Sequence, residues 1–460
     1  MRWATSHHPH DLNGADLPQA GIALAPRAGH GERRFEGFTL TPIHALSVFD
    51  VAAILITLAA ALSWFNHRLL KLPSTVGLAL MGVIASLLVL AIDWATPSLH
   101  IGDAVRGFLA GIDFEQTLMQ GMLSFLLFAG ALHVDLGDLS RHRWQVLVLS
   151  TLGVLASTAI VGFGLLGITR LAGIELPLVW CLLFGALISP TDPVAVMGAM
   201  KSASTPRGLQ ATISGESLFN DGVGIVVFSI IVAAVAGGQF SIADAGAMFL
   251  VEAVGGGLLG LAVGWIAFLA MRAIDDYPVE LLITLATVMG GYALAQALHV
   301  SGPVAMAVAG LLIGNRGVAL AMSDTTRDHV IKFWGLVDEV LNAVLFLLIG
   351  LEGIALIGDP QLLIVGAVAI PLALLARAAS VGGPLLLWPR SLPFRATLPV
   401  LVWGGLRGGI SIALALSLPL GDNKDVLVTV TYVVVLFSVL VQGWTIGRVI
   451  KGPTPADTKA

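Results

Sequence analysis

The sequence predicts an all-α polytopic membrane protein of about thirteen transmembrane helices. Three observations point there. Residues 72–92, 144–169, 222–243, 281–315 and 426–447 contain no Asp, Glu, Lys or Arg, and each run reaches the ~20 residues that a spanning helix needs. Only 12% of the 460 residues are charged while 57% are hydrophobic, about half the charge of an ordinary soluble domain. The basic residues, finally, are distributed unevenly between the two sides that such a helix count defines.

Apolar runs and their polar breaks place helices near 46–66, 74–92, 116–135, 145–169, 177–200, 211–236, 246–271, 278–299, 300–315, 329–353, 361–388, 395–419 and 426–448. The eighth and ninth are separated only by His299-Val300-Ser301-Gly302-Pro303, a Gly-Pro break. With this count seven Lys and Arg lie on the N-terminal side: Arg2, Arg27, Arg33, Arg34, Arg106, Arg170 and Lys424. Fifteen lie opposite, among them Arg68, Lys71, Arg141, Arg143, Lys201, Arg207, Arg316, Lys332, Arg390, Arg448 and Lys451. The positive-inside rule then puts the C-terminus in the cytoplasm and the N-terminus outside. Arg377 and Arg407 alone stand within helices, and each is expected to have an internal acidic partner.

Residues 1–42 are polar, rich in Pro, Gly and His, and lack an apolar core of signal-peptide length. They read as a disordered tail or as an extension from an upstream start codon. His7, His8, His10 and His30 read as solvated rather than metal-binding. The transmembrane domain is placed at 43–450, with a short tail at 451–460. The single cysteine, Cys181, excludes an intrachain disulfide and points away from redox chemistry.

Two helices carry interruptions at matching places. The fifth contains Ile188-Ser189-Pro190-Thr191-Asp192-Pro193, and the twelfth contains Trp403-Gly404-Gly405-Leu406-Arg407-Gly408-Gly409. An offset of seven helices reverses their orientation. Crossed unwound helices in two inverted repeats, helices 1–6 and 8–13, point to a substrate site near the midplane. Pro190 and Pro193 lack amide hydrogens, which frees the carbonyls of Ala186 and Ser189. Unwound backbone at membrane depth belongs inside protein or beside a water-filled cavity. Those carbonyls, the Thr191 hydroxyl and the Asp192 carboxylate are hard oxygen ligands suited to an alkali cation. A plain proline kink explains the prolines, but not the acid between them.

The sixth helix opens with Ser-Gly-Glu-Ser-Leu-Phe-Asn-Asp-Gly-Val-Gly (214–224). A carboxylate at membrane depth costs roughly 2.5–3.5 kcal/mol on insertion scales, and it usually marks an ion or proton path. Ser217 and Asp221 are four apart and share a face, as do Glu216 and Asn220 on the adjoining one. Polar glue between helices is the alternative, though glue seldom needs two carboxylates within six residues. Glu216 needs a cationic partner, and Arg407, flanked by four glycines, is the expected one. Breaking a buried pair strands one charge, at roughly 3–5 kcal/mol. Burial disfavours the charged form of a carboxylate, whereas an arriving cation favours it and expels the proton. One carboxylate holding either a proton or a cation, open to each side in turn, is an antiporter, and a single such group implies electroneutral one-for-one exchange.

Five motifs in order resemble the sodium/proton antiporters of the NhaP/NHE type. They are Thr191-Asp192-Pro193, the 214–223 segment, His299-Val300-Ser301-Gly302-Pro303 with the following Ala309-to-Asn315 stretch, Leu336-to-Phe346, and Leu406-Arg407-Gly408-Gly409. The resemblance spans about residues 46 to 450. It implies a thirteen-helix inverted-repeat fold and a homodimer whose core domain moves against a dimer domain. It also implies Na+ as the transported metal ion at Asp221, Ser217 and Thr191, and a supporting pair in which Asn220 hydrogen-bonds Asp192. Glu216 and Arg407 match the family's internal ion pair. One departure is Ala129, in Leu127-Phe128-Ala129-Gly130, where many relatives carry Glu; this leaves the choice among Na+, Li+ and K+ open.

Asp338, Glu339, Asn342 and Glu352 in or near the tenth helix either line a funnel on one face or serve as helix glue. His133 and His299 read as satisfied interfacial histidines. The expectation is thus a Na+/H+ exchanger of a bacterial-type inner membrane serving pH homeostasis, with Na+, H+ and lipid as partners and neither cofactor nor nucleic acid. A K+/H+ antiporter of the same fold is the near alternative. Farther off, a cation channel lacks its filter motif, and an intramembrane aspartyl protease lacks Gly-x-Gly-Asp.

Overall fold

A computed structural model describes residues 48–96, 107, 121–202, 205–235, 242–353, 359–387 and 394–451. The described residues fall within one unit, 46–460. Their regular secondary structure is helical apart from one isolated bridge, with no strand among them. The expected tails at 1–42 and beyond 451, and the start of the third predicted helix, lie outside the described residues.

The chain opens with α1 (Val48–Phe65), α2 (Ser74–Ala95), α3 (Leu123–Leu132) and a short α4 (Leu136–Arg141). Next come α5 (Arg143–Ser150), α6 (Leu152–Leu171), α7 (Leu178–Ile188), α8 (Val194–Ser202) and α9 (Arg207–Val235). The second part holds α10 (Ile242–Arg272), α11 (Tyr277–Ala297), α12 (Gly302–Leu312), α13 (Asp324–Leu351) and α14 (Pro360–Leu387). It ends with α15 (Phe394–Trp403), α16 (Gly409–Leu416), α17 (Asp422–Phe437) and α18 (Gly443–Ile450). Among the described residues ten helices are long and apolar enough to cross a membrane. The predicted fifth helix is α7 and α8 with the break between them, and the predicted twelfth is α15 and α16.

Local chemistry sets the ends of these helices. At the predicted break before α12, His299 adopts a left-handed φ of 54°, and Ser301 caps the new helix by accepting from the Val304 amide at 3.4 Å, with Pro303 in its first turn. Helix α4 escaped the hydropathy reading because it is short and polar. Asp135 caps it, accepting from the Gly137 and Asp138 amides. Asn315 pins the turn before it: its Oδ1 accepts from the Leu136 amide at 2.8 Å and its Nδ2 donates to the Val134 carbonyl at 2.9 Å.

Helices in lipid gain little from hydrophobic burial against one another and associate through close packing of small residues. Here α2 meets α13 at Gly82 and Gly350. A Cβ on Gly350 would lie 2.5 Å from the Ala79 carbonyl oxygen, and Ser86 Oγ donates to the Gly350 carbonyl at 3.0 Å across the same contact. The main core cluster draws on α6, α7, α13, α14, α16 and α17, including Leu165, Phe184, Leu187, Leu347, Ala376, Ala413 and Val435. It packs α7 and α16, one half of each interrupted helix, while α8 and α15 pack in a second cluster through Val196, Met200, Val400 and Leu401.

Gly350→Val is expected to lower thermal stability in detergent by about 1–3 kcal/mol, the usual cost of overpacking. Gly257→Ala, where an added Cβ meets nothing within 4 Å, should leave the melting temperature unchanged. Equal melting of both variants would contradict the close α2–α13 contact.

Candidate functional site

The two interruptions meet. The Asp192 amide donates to the Leu406 carbonyl at 2.8 Å, forming an antiparallel bridge between the unwound segments. Each segment holds backbone groups that no helix satisfies, and at membrane depth such groups need protein partners. The Arg407 guanidinium supplies two: its Nη1 donates to the Ser189 carbonyl at 2.6 Å and the Pro190 carbonyl at 3.0 Å. Ser411 Oγ donates to the Leu187 carbonyl at 2.6 Å. On the other side Ser438 Oγ accepts from the Arg407 amide at 2.8 Å, and Gln442 Nε2 donates to the Trp403 carbonyl at 3.0 Å. The Ser189 carbonyl, expected as a free cation ligand, is thus occupied by a guanidinium.

The expected Glu216–Arg407 pair is corrected by this geometry. Glu216 pairs with Arg377 of α14, in a two-pronged contact with Nη1 on Oε1 and Nη2 on Oε2, the latter at 2.9 Å. Arg377 Nε also donates to the Leu401 carbonyl at 3.1 Å. Glu216 is 1% exposed and Arg377 7%, so both charges depend on this partnership. The glycines around Arg407 serve other neighbours: a Cβ on Gly405 would lie 2.6 Å from Arg377 Nε, and one on Gly408 would lie 2.6 Å from Asp192 Oδ2. They make room for one arginine and one carboxylate against bare backbone. The flanking glycines had favoured Arg407 over Arg377 as the partner of Glu216, but the close approaches they permit are to Arg377 and Asp192.

A second correction concerns Asn220. Its amide faces Thr191, not Asp192: Nδ2 donates to Thr191 Oγ1 at 2.8 Å, and Oδ1 accepts from the Thr191 amide at 3.4 Å. Thr191 Oγ1 and Ser217 Oγ are in turn 3.3 Å apart. Asp192 is instead turned to its own chain, Oδ1 accepting from the Val194 amide at 2.9 Å, which caps α8. Asn220, Thr191 and Ser217 are all buried.

Asp221 is 7% exposed, and among the described residues no basic side chain forms an ion pair with it. It lines a cavity of about 1180 Å³ together with Ser217, Asp192, Pro190 and Gly408. The same cavity is lined by Ser214, Met197, His133, Lys332, Asp338, Glu339 and Trp444. In the other direction along α9, Val223, Val226, Val227 and Phe228 are buried in packed core. The carboxylate therefore sits where an open vestibule meets closed protein. Ala129 is 1% exposed in apolar surroundings; it offers no side-chain oxygen, and its carbonyl faces His133 Nδ1 at 2.8 Å. Cys181 is buried and unbridged.

The family described as "Sodium/hydrogen exchanger, transmembrane" matches residues 54–452. The chain belongs to the sodium/hydrogen exchanger family. It is 46% identical over 415 residues to the Na(+)/H(+) antiporter NhaP of Pseudomonas aeruginosa, covering 88% of this chain and 96% of that one. It is also 34% identical to the Na(+)/H(+) antiporter NhaH of Halobacillus dabanensis, with 86% and 96% covered. Among solved structures, the sodium proton antiporter MjNhaP1 from Methanocaldococcus jannaschii at pH 8 superposes with a TM-score of 0.68 at 21% identity, covering 87% of this chain and 97% of that one. At that identity the likeness establishes the shared fold. Exchangers are transporters and not enzymes, which removes the intramembrane protease alternative.

A double-mutant cycle separates the two arginines. Glu216→Gln against Arg377→Met is expected to show a coupling of roughly 3–5 kcal/mol in thermal stability, the signature of a buried pair that loses one partner. Arg407→Met orphans two carbonyls without stranding an opposite charge, at about 1–3 kcal/mol, and should couple weakly to Glu216. Equal couplings would contradict the pairing.

Proposed function

We propose that this exchanger moves Na+ against H+ by alternating access, with the Asp221 carboxylate as the shared site. The observation that carries this reading is Asp221 itself, buried on the wall of an open cavity with no ion-pair partner among the described residues. A carboxylate so placed must take its neutralising charge from a mobile species, and a proton and an alkali ion are the two on offer. Ser217, one turn earlier on α9, and Thr191 on the interrupted segment supply neutral oxygens for the metal ion. Asn220 fixes the Thr191 hydroxyl from the far side, and Asp192 adds negative charge to the cavity wall. One exchanging carboxylate gives one proton per Na+, hence electroneutral exchange.

The cavity opens toward the ends of α8, α9, α13 and α18 that carry Lys201, Arg207, Lys332 and Arg448. With the C-terminus in the cytoplasm, as the basic residues indicate, this is an inward-facing state in a bacterial-type inner membrane. A homodimer, in which a core domain around the crossed α7–α8 and α15–α16 segments moves against a dimer domain, completes the reading, and pH homeostasis is its physiological use. Ala129 withdraws one acid that many relatives offer, so Li+ and K+ remain the other ions to compare.

In proteoliposomes holding a trapped pH dye, Na+ is expected to drive proton movement in wild type, and Asp221→Asn should abolish it while keeping the wild-type melting temperature. Valinomycin with K+ should leave the initial rate unchanged, as electroneutral exchange requires. Retained exchange in Asp221→Asn would falsify the carrier assignment, and K+ outperforming Na+ would favour the K+/H+ alternative.

A further inference from the structure

We propose that an anionic phospholipid binds with its phosphate at the seam between α2 and α18, held by the uncapped start of α2, by Lys71 and by Arg448. Helix α2 begins without a side-chain cap: Pro73 precedes it, and its first helical bond runs from the Gly77 amide to the Pro73 carbonyl at 2.9 Å. The Ser74, Thr75 and Val76 amides have no acceptor among the described residues, and such a helix start, with its positive dipole end, suits a phosphate. Thr75 is an independent sign that this end receives a ligand. It is 7% exposed and lines the cavity together with Pro73 and Ser74. No hydrogen bond engages its hydroxyl among the described residues, although a buried hydroxyl ordinarily has a partner.

The turn before α2 is fixed by its own chain. Buried Asn66 accepts from the Leu72 amide at 3.3 Å and donates to the Leu72 carbonyl at 3.0 Å, while its main-chain carbonyl accepts from the Lys71 amide at 2.7 Å. Lys71 is thereby held at a left-handed φ of 54°, which a lysine adopts only where its surroundings impose it. Gly77 makes room for this lock, since a Cβ there would lie 2.5 Å from Asn66 Cγ. Across the seam, a Cβ on Gly443 would lie 3.2 Å from Val76 Cγ2, so α18 starts against the first turn of α2. Trp444 comes next, 56% exposed and on the same cavity wall as Ser74 and Thr75. The Arg448 guanidinium lies 5.7 Å from its ring centroid. Lys71 and Arg448 are exposed, and neither forms an ion pair among the described residues. Stacking on the indole leaves the N–H edges of the guanidinium available to a phosphate.

The place of the seam in the membrane selects a lipid as the source of that phosphate. Helix α2 starts the candidate span Ser74–Ala95, and α18 ends the span Asp422–Ile450, so both meet here at a bilayer surface. An exposed Trp at such a level belongs among headgroups, and basic side chains beside it attract anionic lipid. A free phosphate would share the cavity with the carboxyl groups of Asp221, Asp338 and Glu339. A lipid phosphate is kept at the seam by its acyl chains, where it ties the start of α2 to α18.

The test uses the full chain purified in a neutral detergent, with dioleoylphosphatidylglycerol, dioleoylphosphatidylcholine or inorganic phosphate added. Bound lipid is counted by native mass spectrometry, and the melting temperature is read in parallel. Phosphatidylglycerol should bind and raise the melting temperature, whereas phosphatidylcholine and inorganic phosphate should do neither. Arg448→Gln should weaken phosphatidylglycerol binding by on the order of fivefold, and Thr75→Val by on the order of threefold. Arg316→Gln, whose parent guanidinium lies over Trp265 at 5.9 Å instead, should leave it unchanged. A second readout uses the milder Trp444→Phe: brominated phosphatidylglycerol should quench more tryptophan emission than brominated phosphatidylcholine in wild type, and this excess should disappear in the variant. Equal binding of the two lipids, undiminished binding in Arg448→Gln and Thr75→Val, an equal loss in Arg316→Gln, or an excess of quenching that survives in Trp444→Phe would overturn the proposal. Inorganic phosphate matching the effect of phosphatidylglycerol would overturn the lipid as the source.

Discussion

The organisation of this membrane protein depends on one junction, the place where two broken helices complete each other. Pro190 and Pro193 on one side, and the glycines from Gly404 to Gly409 on the other, leave backbone groups that lipid cannot satisfy. The Asp192–Leu406 bridge and the Arg407 guanidinium satisfy several of them. Arg407 is committed to carbonyl oxygens by this arrangement, and Arg377 is committed to Glu216. With both helix-buried arginines engaged, neither forms an ion pair with Asp221. That Asp221 has no ion-pair partner among the described residues is thus a consequence of how the junction is built, and the proposed cation–proton competition rests on it.

Much of the fold was legible in the sequence, because apolar run length and proline–glycine breaks are local signals. Each predicted helix finds a counterpart among the described helices, and both interruptions fall where the Ser189–Pro193 and Gly404–Gly408 segments placed them. The junction's internal pairings were not legible. Which arginine meets Glu216 depends on the lateral order of α9, α14 and the α15–α16 break, and hydrophobic periodicity carries no information about lateral order. The glycines around Arg407 were a real signal of close approach, but they could not say what approaches; Gly405 admits Arg377 and Gly408 admits Asp192. Asn220 was misdirected for a related reason, since a one-residue difference between Thr191 and Asp192 is decided by the twist of unwound backbone. Helix α4 was missed because its content is polar and its stability comes from the Asp135 cap and the distant Asn315.

The site combines a packed surround with a carboxylate that lines open space. Core packing and the satisfied junction fix Thr191, Ser217 and Asn220 through a short hydrogen-bonded chain, while Asp221 faces the cavity. In the proposed exchange that chain holds the neutral oxygens in register for a metal ion, and the cavity keeps the carboxylate open to solution.

The central claim, that proton and cation compete for a single carboxylate, is tested most directly by counting protons released on Na+ binding to purified protein in weakly buffered detergent. Competition requires about one proton released per Na+ bound at a pH where the site is protonated, with release vanishing as the pH rises and in Asp221→Asn. Saturable Na+ binding to wild type without proton release at any pH would show that both ions occupy the protein together, and would contradict it.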